Sequence, residues 1–462
     1  MDSTTPSPTS PTTALLSIRN FVLLWLGQAI SRLGDTVFNF TLLLWIAAVL
    51  AWHDPWAPLA VSGILVAQTL PMILIGPIAG VFVDRWDKRR LMLWMDLLRA
   101  LLVASLLPVT GIIALPILEG GALPVHARLW VVYSVVFLAS ACSQFFTPAR
   151  VALTGDIVPA TQQARAASFE QVTESLSLIL GPLLAAPLLF GVGMQWALLI
   201  NALSFLLSLF TILAIRAPVP AHSVMLGQRG HLRREFGQGL RFTFGNRVIR
   251  TLFIALFVAM LGIGAYNALY VFFFLQNLHA PATLLGLLDA IFGGGVIVGA
   301  VLAGVFAQRV GLERILSLAG LAAGVAFVIM ARMTNIGAAV GVIVLVGMSQ
   351  GGFGVTFWPL VLKATPRELV GRVAAILNPS PTLASMVSIA LAGYLASTVL
   401  RGWHANILGI TFGPIDTILS GAGILLVLAG LYLLKNLHEE PPEAPFQPQS
   451  GPAAEEMPIV SK

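Results

Sequence analysis

Asp35 follows Arg32 by three residues inside a long apolar run, residues 21–49. That spacing puts both charges on one face of a helix. Gln28, Ser31 and Asn39 continue the same polar stripe. An ionisable group deep in a membrane-spanning helix costs roughly 2.5–3.5 kcal/mol on insertion scales, so the stripe must face protein or a water-filled cavity. Burial disfavours an ionised carboxylate and a neighbouring cation favours it. Asp35 is therefore a candidate to take up a proton on one side of a membrane and release it on the other. The alternative is a permanent Arg32–Asp35 pair that only holds a bundle together. Glu170 and Glu174 share a face at i, i+4 near the start of a later run, with Glu174 the deeper, and Asp289 interrupts the Gly-rich "LLDAIFGGGVIVG". Glu174 and Asp289 join Asp35 and Arg32 as proton-coupling candidates. Asp96 and Arg99, spaced i, i+3 near the start of a third run, read as structural.

These charges are rare in their surroundings. Hydrophobic residues make up 57% of the 462 and charged residues only 10%, where a soluble globular chain carries about 25% charged residues. The mean hydropathy is +0.90. A helix needs about 20 apolar residues to cross a bilayer, which leaves room for about a dozen spans. They fall near 21–49, 59–83, 91–115, 129–148, 170–190, 195–215, 248–276, 283–307, 315–333, 337–361, 373–400 and 417–434. Backbone in hydrocarbon must satisfy its own hydrogen bonds, so the spans are helices. The expectation is an all-α membrane protein of twelve transmembrane helices. Residues 1–20 form a polar tail, 21–216 and 247–435 two six-helix halves, 217–246 a linker with a short amphipathic segment, and 436–462 a second tail.

Of the 26 Lys and Arg, 21 lie at one set of span ends; Arg128, Arg332 and Arg401 lie at the other, and Arg32 and Arg99 lie within spans. Cationic loops stay inside, which predicts that both termini are cytoplasmic and that the chain is a multi-pass protein of a plasma membrane. The net charge of +6 serves that topology; no basic patch interleaved with aromatics points to nucleic acid. A single cysteine, Cys142, excludes a disulfide framework and a cysteine-rich metal site. The seven histidines show no ligand spacing, and no phosphate-binding G-x-x-x-x-G-K-[ST] loop is present. Neither an enzyme, a metal nor a cofactor is expected.

The stretch "AGVFVDRWDKRRLM" (79–92) places six charges in seven positions, and "AGVFAQRVGLERIL" (303–316) echoes it 224 residues later. A second echo links "FFTPARVALTGDIVPATQQARAA" (145–167) with "FWPLVLKATPRELVGRVAA" (357–375). Six spans followed by six similar spans is a duplicated transporter plan, its halves related by an axis along the membrane normal.

Gly80, Asp84, Arg85, Arg89 and Arg90 resemble the loop 2–3 signature of the major facilitator superfamily, "G-x-x-x-D-R-x-x-R-R", with the arginine pair one position further along. Gly304 and Arg309 are its degenerate copy. Within that superfamily "GQAISRLGD" (27–35), "FFTPA" (145–149) and "ESLSLILGP" (174–182) resemble the bacterial drug exporters of the macrolide-efflux and enterobactin-exporter type. The resemblance implies a twelve-helix, two-half fold with a cytoplasmic latch. In it Asp84 sits near Arg372 at the start of span 11, Arg85 and Arg89 bridge helix ends, and Gly80 lets spans 2 and 11 approach. Gly181-Pro182 resembles the antiporter signature "G-x-x-x-G-P-x-x-G-G", with Ser177, Ala185 and Ala186 in place of three glycines. The arginine that many proton-coupled relatives carry in span 4 aligns with Val136.

Gln28, Asn39, Gln144, Asn201, Tyr266, Asn267, Phe273, Gln350 and Trp358 are candidates to line a cavity for a bulky amphipathic ligand. The expected function is export of lipophilic or cationic small molecules by proton antiport with alternating access. Siderophore export or lysophospholipid flipping on the same scaffold is the alternative, and a polytopic enzyme or a receptor is the reading from another class. The expected partners are the lipid bilayer, a small-molecule substrate and protons, for a monomer.

Overall fold

The computed structural model describes residues 15–52, 54–83, 85–109, 124–216, 232–407 and 410–437. The first half holds α1 (Arg19–Trp45), α2 (Ala57–Leu74) continued by α3 (Gly76–Val83), α4 (Lys88–Ala104), α5 (Val125–Ile157), α6 (Gln163–Pro187) and α7 (Met194–Ala214). After the connecting α8 (Leu232–Gly245) come α9 (Arg247–Phe272), α10 (Leu285–Val310), α11 (Leu312–Ala331), α12 (Ile336–Ala364), α13 (Val370–Leu377) continued by α14 (Pro379–Tyr394), and α15 (Pro414–Asn436). Among the described residues, 11 helical segments are long and apolar enough to cross a membrane. The twelfth span is α4, whose 17 residues include five charges; the rest of the predicted 91–115 span falls partly outside the described residues.

Local chemistry sets several helix starts. Asp87 Oδ1 accepts the Arg90 amide (2.8 Å) at the head of α4, Asn246 Oδ1 accepts the Ile249 amide (3.0 Å) at α9, and Asn335 Oδ1 accepts the Gly337 amide (2.8 Å) at α12. Each satisfies an amide that the first helical turn leaves free. The linker's predicted amphipathic segment is α8, docked on α13 where Arg372 Nη1 donates to Gln238 Oε1 (2.8 Å).

The duplication is visible in how the helices pack. In the first half α1 packs on α6 and α7, α4 on α5 and α7, and α2 on α5; in the second α9 packs on α14 and α15, α11 on α12 and α15, and α10 on α12. Counting spans, the second set is the first shifted by six. The halves meet where α2 packs on α14 and α6 on α10, and the shift exchanges these two pairs as well. Wide π turns end spans 1, 5, 7 and 11 at Ile46–Leu50, Leu188–Val192, Phe273–Asn277 and Leu395–Val399, again in shifted pairs.

Apolar packing is shared between the halves at one end and divided at the other. Opposite the basic span ends, one core joins Phe38, Leu42 and Ile64 to Phe272, Phe273 and Leu419. Phe273 is fully buried there, which corrects its assignment to a cavity wall. Crossing contacts cluster at the same end: the Leu59 amide donates to Ser397 Oγ (3.0 Å), and the Phe40 and Tyr270 rings lie 6.4 Å apart. Toward the basic side the core splits into Leu24, Met92, Phe146 and Ile212 in one half and Ile249, Leu316, Leu360 and Leu433 in the other. The molecule therefore opens toward its basic side.

Within each half the packing is close. Gly295 and Gly299 of α10 face Gly347 and Gly351 of α12, and a Cβ on Gly351 would strike the backbone of Val296 and Ala300. Small residues four apart let two helix backbones touch. Gly351→Val is expected to destabilise the fold by about 1–3 kcal/mol, seen as a lower melting temperature in detergent. Gly341→Val, where nothing lies within 4 Å of the added carbon, is expected to leave it unchanged.

Candidate functional site

The stripe on α1 meets charged and polar side chains from α2, α4, α6 and α7. Its centre is Arg99 of α4. The Arg99 guanidinium pairs with Asp96 through Nη2 and with Asp35 Oδ2 through Nη1 at 3.8 Å. It lies over the rings of Phe146 (4.3 Å) and Phe205 (4.4 Å), two cation–π contacts. Ser208 Oγ donates to the second oxygen of Asp96 (2.6 Å), and Gln28 Nε2 donates to Ser208 Oγ (2.8 Å). Asp96 is thus met on both oxygens, as a fully buried carboxylate requires.

Arg32 does not pair with Asp35. Its Nη1 lies 3.7 Å from Glu174 Oε1 of α6, so in place of the alternative i, i+3 pair there are two pairs between helices. The physical reason is reach: Arg32 and Asp35 lean toward different neighbours, α6 and α4. Side-chain exposure rises along the chain of charges, from 0% at Asp96 and 6% at Arg99 to 32% at Asp35, 40% at Arg32 and 47% at Glu174. The cluster therefore runs from a sealed interior to an accessible surface. With all five groups ionised it carries three negative charges and two positive ones.

The i, i+3 spacing of Asp96 and Arg99 reads as structural, and the structure joins the pair to Asp35. Their spacing from Lys88 already set them two to three turns into α4, the one signal in the chain that could have placed them here. Val136 of α5 is buried, and the cations of the cluster come from α1 and α4. Glu170 is separate, paired with Arg150 Nη1 at 2.8 Å.

The remaining candidates disperse. Asn39 Oδ1 accepts from Gln68 Nε2 (3.2 Å) on the stripe, and Gln144 is half-buried on α5. Asn201 is fully buried against Gly34, which corrects its place on a cavity wall. Asp289, half-buried on α10, makes no ion pair among the described residues. Tyr266 packs edge-on against Phe327, with 5.0 Å between ring centres, and Asn267 beside it is half-buried. Trp358 is exposed, its ring edge-on to Phe357. Gln350 is exposed at a cavity of about 190 Å³ enclosed by α9, α11, α12 and α15. Gly181 and Pro182 are buried where three helices cross: Gly181 lies against Thr36 of α1, and the Pro182 carbonyl lies against Gly286 of α10.

At the basic end Asp84 lies outside the described residues. Arg89 donates to the carbonyls of Ile212 (3.1 Å) and Leu213 (2.6 Å), closing the C-terminus of α7 where the helix dipole favours a cation. Lys88 pairs with Asp156 at 2.7 Å, and Arg90 with Asp87 at 3.9 Å. Arg85, Gly304 and Arg309 are exposed. Nothing lies within 4 Å of a Cβ added to Gly80 or Gly304, so the close approach expected of Gly80 is not made in this open conformation.

Truncating one partner of a buried pair strands the other. Arg99→Met is expected to destabilise the protein by about 3–5 kcal/mol, and adding Asp96→Leu to recover most of that loss. Thermal unfolding in detergent reads both.

A model described as Major Facilitator Superfamily matches residues 24–388 and again 252–460. Macrolide efflux protein A of Streptococcus pyogenes is 24% identical over 385 residues, which cover 82% of this chain and 90% of that one. Among solved structures, a bacterial homologue of the iron transporter ferroportin in an inward-facing state superposes with a TM-score of 0.67 at 15% identity, covering 91% of this chain and 98% of that one. In an outward-facing state the ferroportin homologue superposes with a TM-score of 0.58 at 17% identity, covering 90% and 98%.

Proposed function

The chain belongs to the major facilitator superfamily, and from that premise we propose that it exports lipophilic or cationic small molecules by proton antiport. It is a multi-span membrane transporter. The observation that carries the finer reading is the five-charge cluster of Asp35, Arg99, Asp96, Arg32 and Glu174. Its surplus negative charge can be met by a proton or by a substrate cation. Each weakens the site for the other, and such mutual exclusion is what couples two fluxes in opposite directions.

The exposure gradient supports a division of parts. Asp96 and Arg99 stay sealed and hold the geometry. Asp35, held by Arg99 on one side and open on the other, is the proton carrier, with Glu174 and Arg32 as the accessible second pair. The basic side is cytoplasmic under the positive-inside rule, so the molecule faces inward, as an exporter must to load. Arg85, Arg89 and Arg90 then belong to the cytoplasmic latch, and both termini lie inside a bacterial plasma membrane. The relatives named for macrolide efflux support the direction and the bulky, amphipathic substrate class.

In proteoliposomes with an imposed pH gradient, the wild type is expected to move ethidium against its gradient. Asp35→Asn is expected to lose at least tenfold of that driven flux while still binding ethidium. Driven flux that survives Asp35→Asn would remove Asp35 as the carrier.

A further inference from the structure

The two halves share a packing plan but fill one place in it differently. The echo that carries Ala79 onto Ala303 also carries Asp96 onto Gly320 and Arg99 onto Ala323. The π turns that end spans 1 and 7, at Ile46 and Phe273, carry Gln28 onto Ala255 and Arg32 onto Ala259. The prolines inside α5 and α12, Pro148 and Pro359, carry Ser143 onto Gly354. In the first half these five positions hold the ionic and hydrogen-bonded network around Arg99. In the second they are alanine or glycine, and all five line the cavity of about 190 Å³. The void stands where the first half places Gln28, Arg32, Asp96, Arg99 and Ser143.

An apolar cavity of this size does not hold water stably and accepts small hydrocarbon guests. Its walls carry no charge, and its polar lining is Ser349 and Gln350, with Gln350 and Gly354 exposed at the rim. We propose that this cavity within the second half binds the uncharged lipophilic part of the transported molecule, an aromatic or branched aliphatic group, with Gln350 holding a polar substituent at the mouth. This rests on the exporter reading and divides its labour. The first half manages charge and the proton, and the second half selects for hydrocarbon.

The single cysteine allows a direct test on the full chain. On a Cys142→Ser background, cysteines are placed singly by Ala323→Cys and Gly354→Cys, and by Lys435→Cys as an exposed control. Gly354 has nothing within 4 Å of an added Cβ, so that variant folds even where Ala323→Cys does not. The neutral probe triphenylphosphine oxide is expected to slow N-ethylmaleimide labelling at least fivefold at both cavity positions and not at the control. Unchanged labelling at both would overturn the proposal. So would labelling that is blocked in lipid nanodiscs, free in detergent and indifferent to the probe, since the occupant would then be a lipid acyl chain. Ethidium flux measured in parallel separates the two readings. Protection without driven flux keeps the cavity site and removes the exporter, and flux without protection does the reverse.

Discussion

Hydrocarbon offers a charge neither water nor a counter-ion, and the Asp96–Arg99 pair shows what this chain does about it. Asp96 has no exposure at all, and it is answered by Arg99 and Ser208. Arg99 in turn is answered by Asp96, Asp35 and two aromatic faces. These partners come from α1, α4, α5 and α7, so one buried ion pair fastens four helices into a body. Everything at the site hangs from it, including the orientation in which Asp35 meets the accessible space.

The same constraint acts on the packing within each half and on the seam between them. Inside a half, glycines bring α10 and α12 to backbone contact, and Arg332 ties α11 to α15 through Asp416 at 3.1 Å while lying over the Phe412 ring. Between halves, a shared apolar core, the bond from the Leu59 amide to Ser397 and a few close backbone crossings lie at one end. Two packed bodies joined through one shared core have the plan in which rocking about a fixed site occurs. Duplication supplies the two bodies, and divergence at five equivalent positions makes one of them charged and the other hollow.

The spans, their orientation relative to the basic ends and the internal repeat were legible because each is written along the chain. Apolar runs of sufficient length, the 21-to-3 bias of Lys and Arg and the recurring "AGVF" need no knowledge of neighbours. The amphipathic segment in the linker was legible for the same reason, as α8. Membership of the superfamily was legible in Gly80, Asp84, Arg85, Arg89 and Arg90 because a loop signature is local.

Partner choice was not legible. Arg32 and Asp35 are neighbours on one helix face, yet each turns to a different helix, and Asp96 and Arg99, local in sequence, are long-range in consequence. Whether an aromatic or amide faces a cavity or a core is likewise decided by the helix opposite, which is why Phe273 and Asn201 lie buried. The sequence by itself determined which segments enter the membrane, which ends are basic and that the plan is doubled, because hydropathy and charge act along the chain. Only the tertiary structure decided which charges meet and where the second half is empty, because pairing and packing depend on the rotation of each helix against its neighbours.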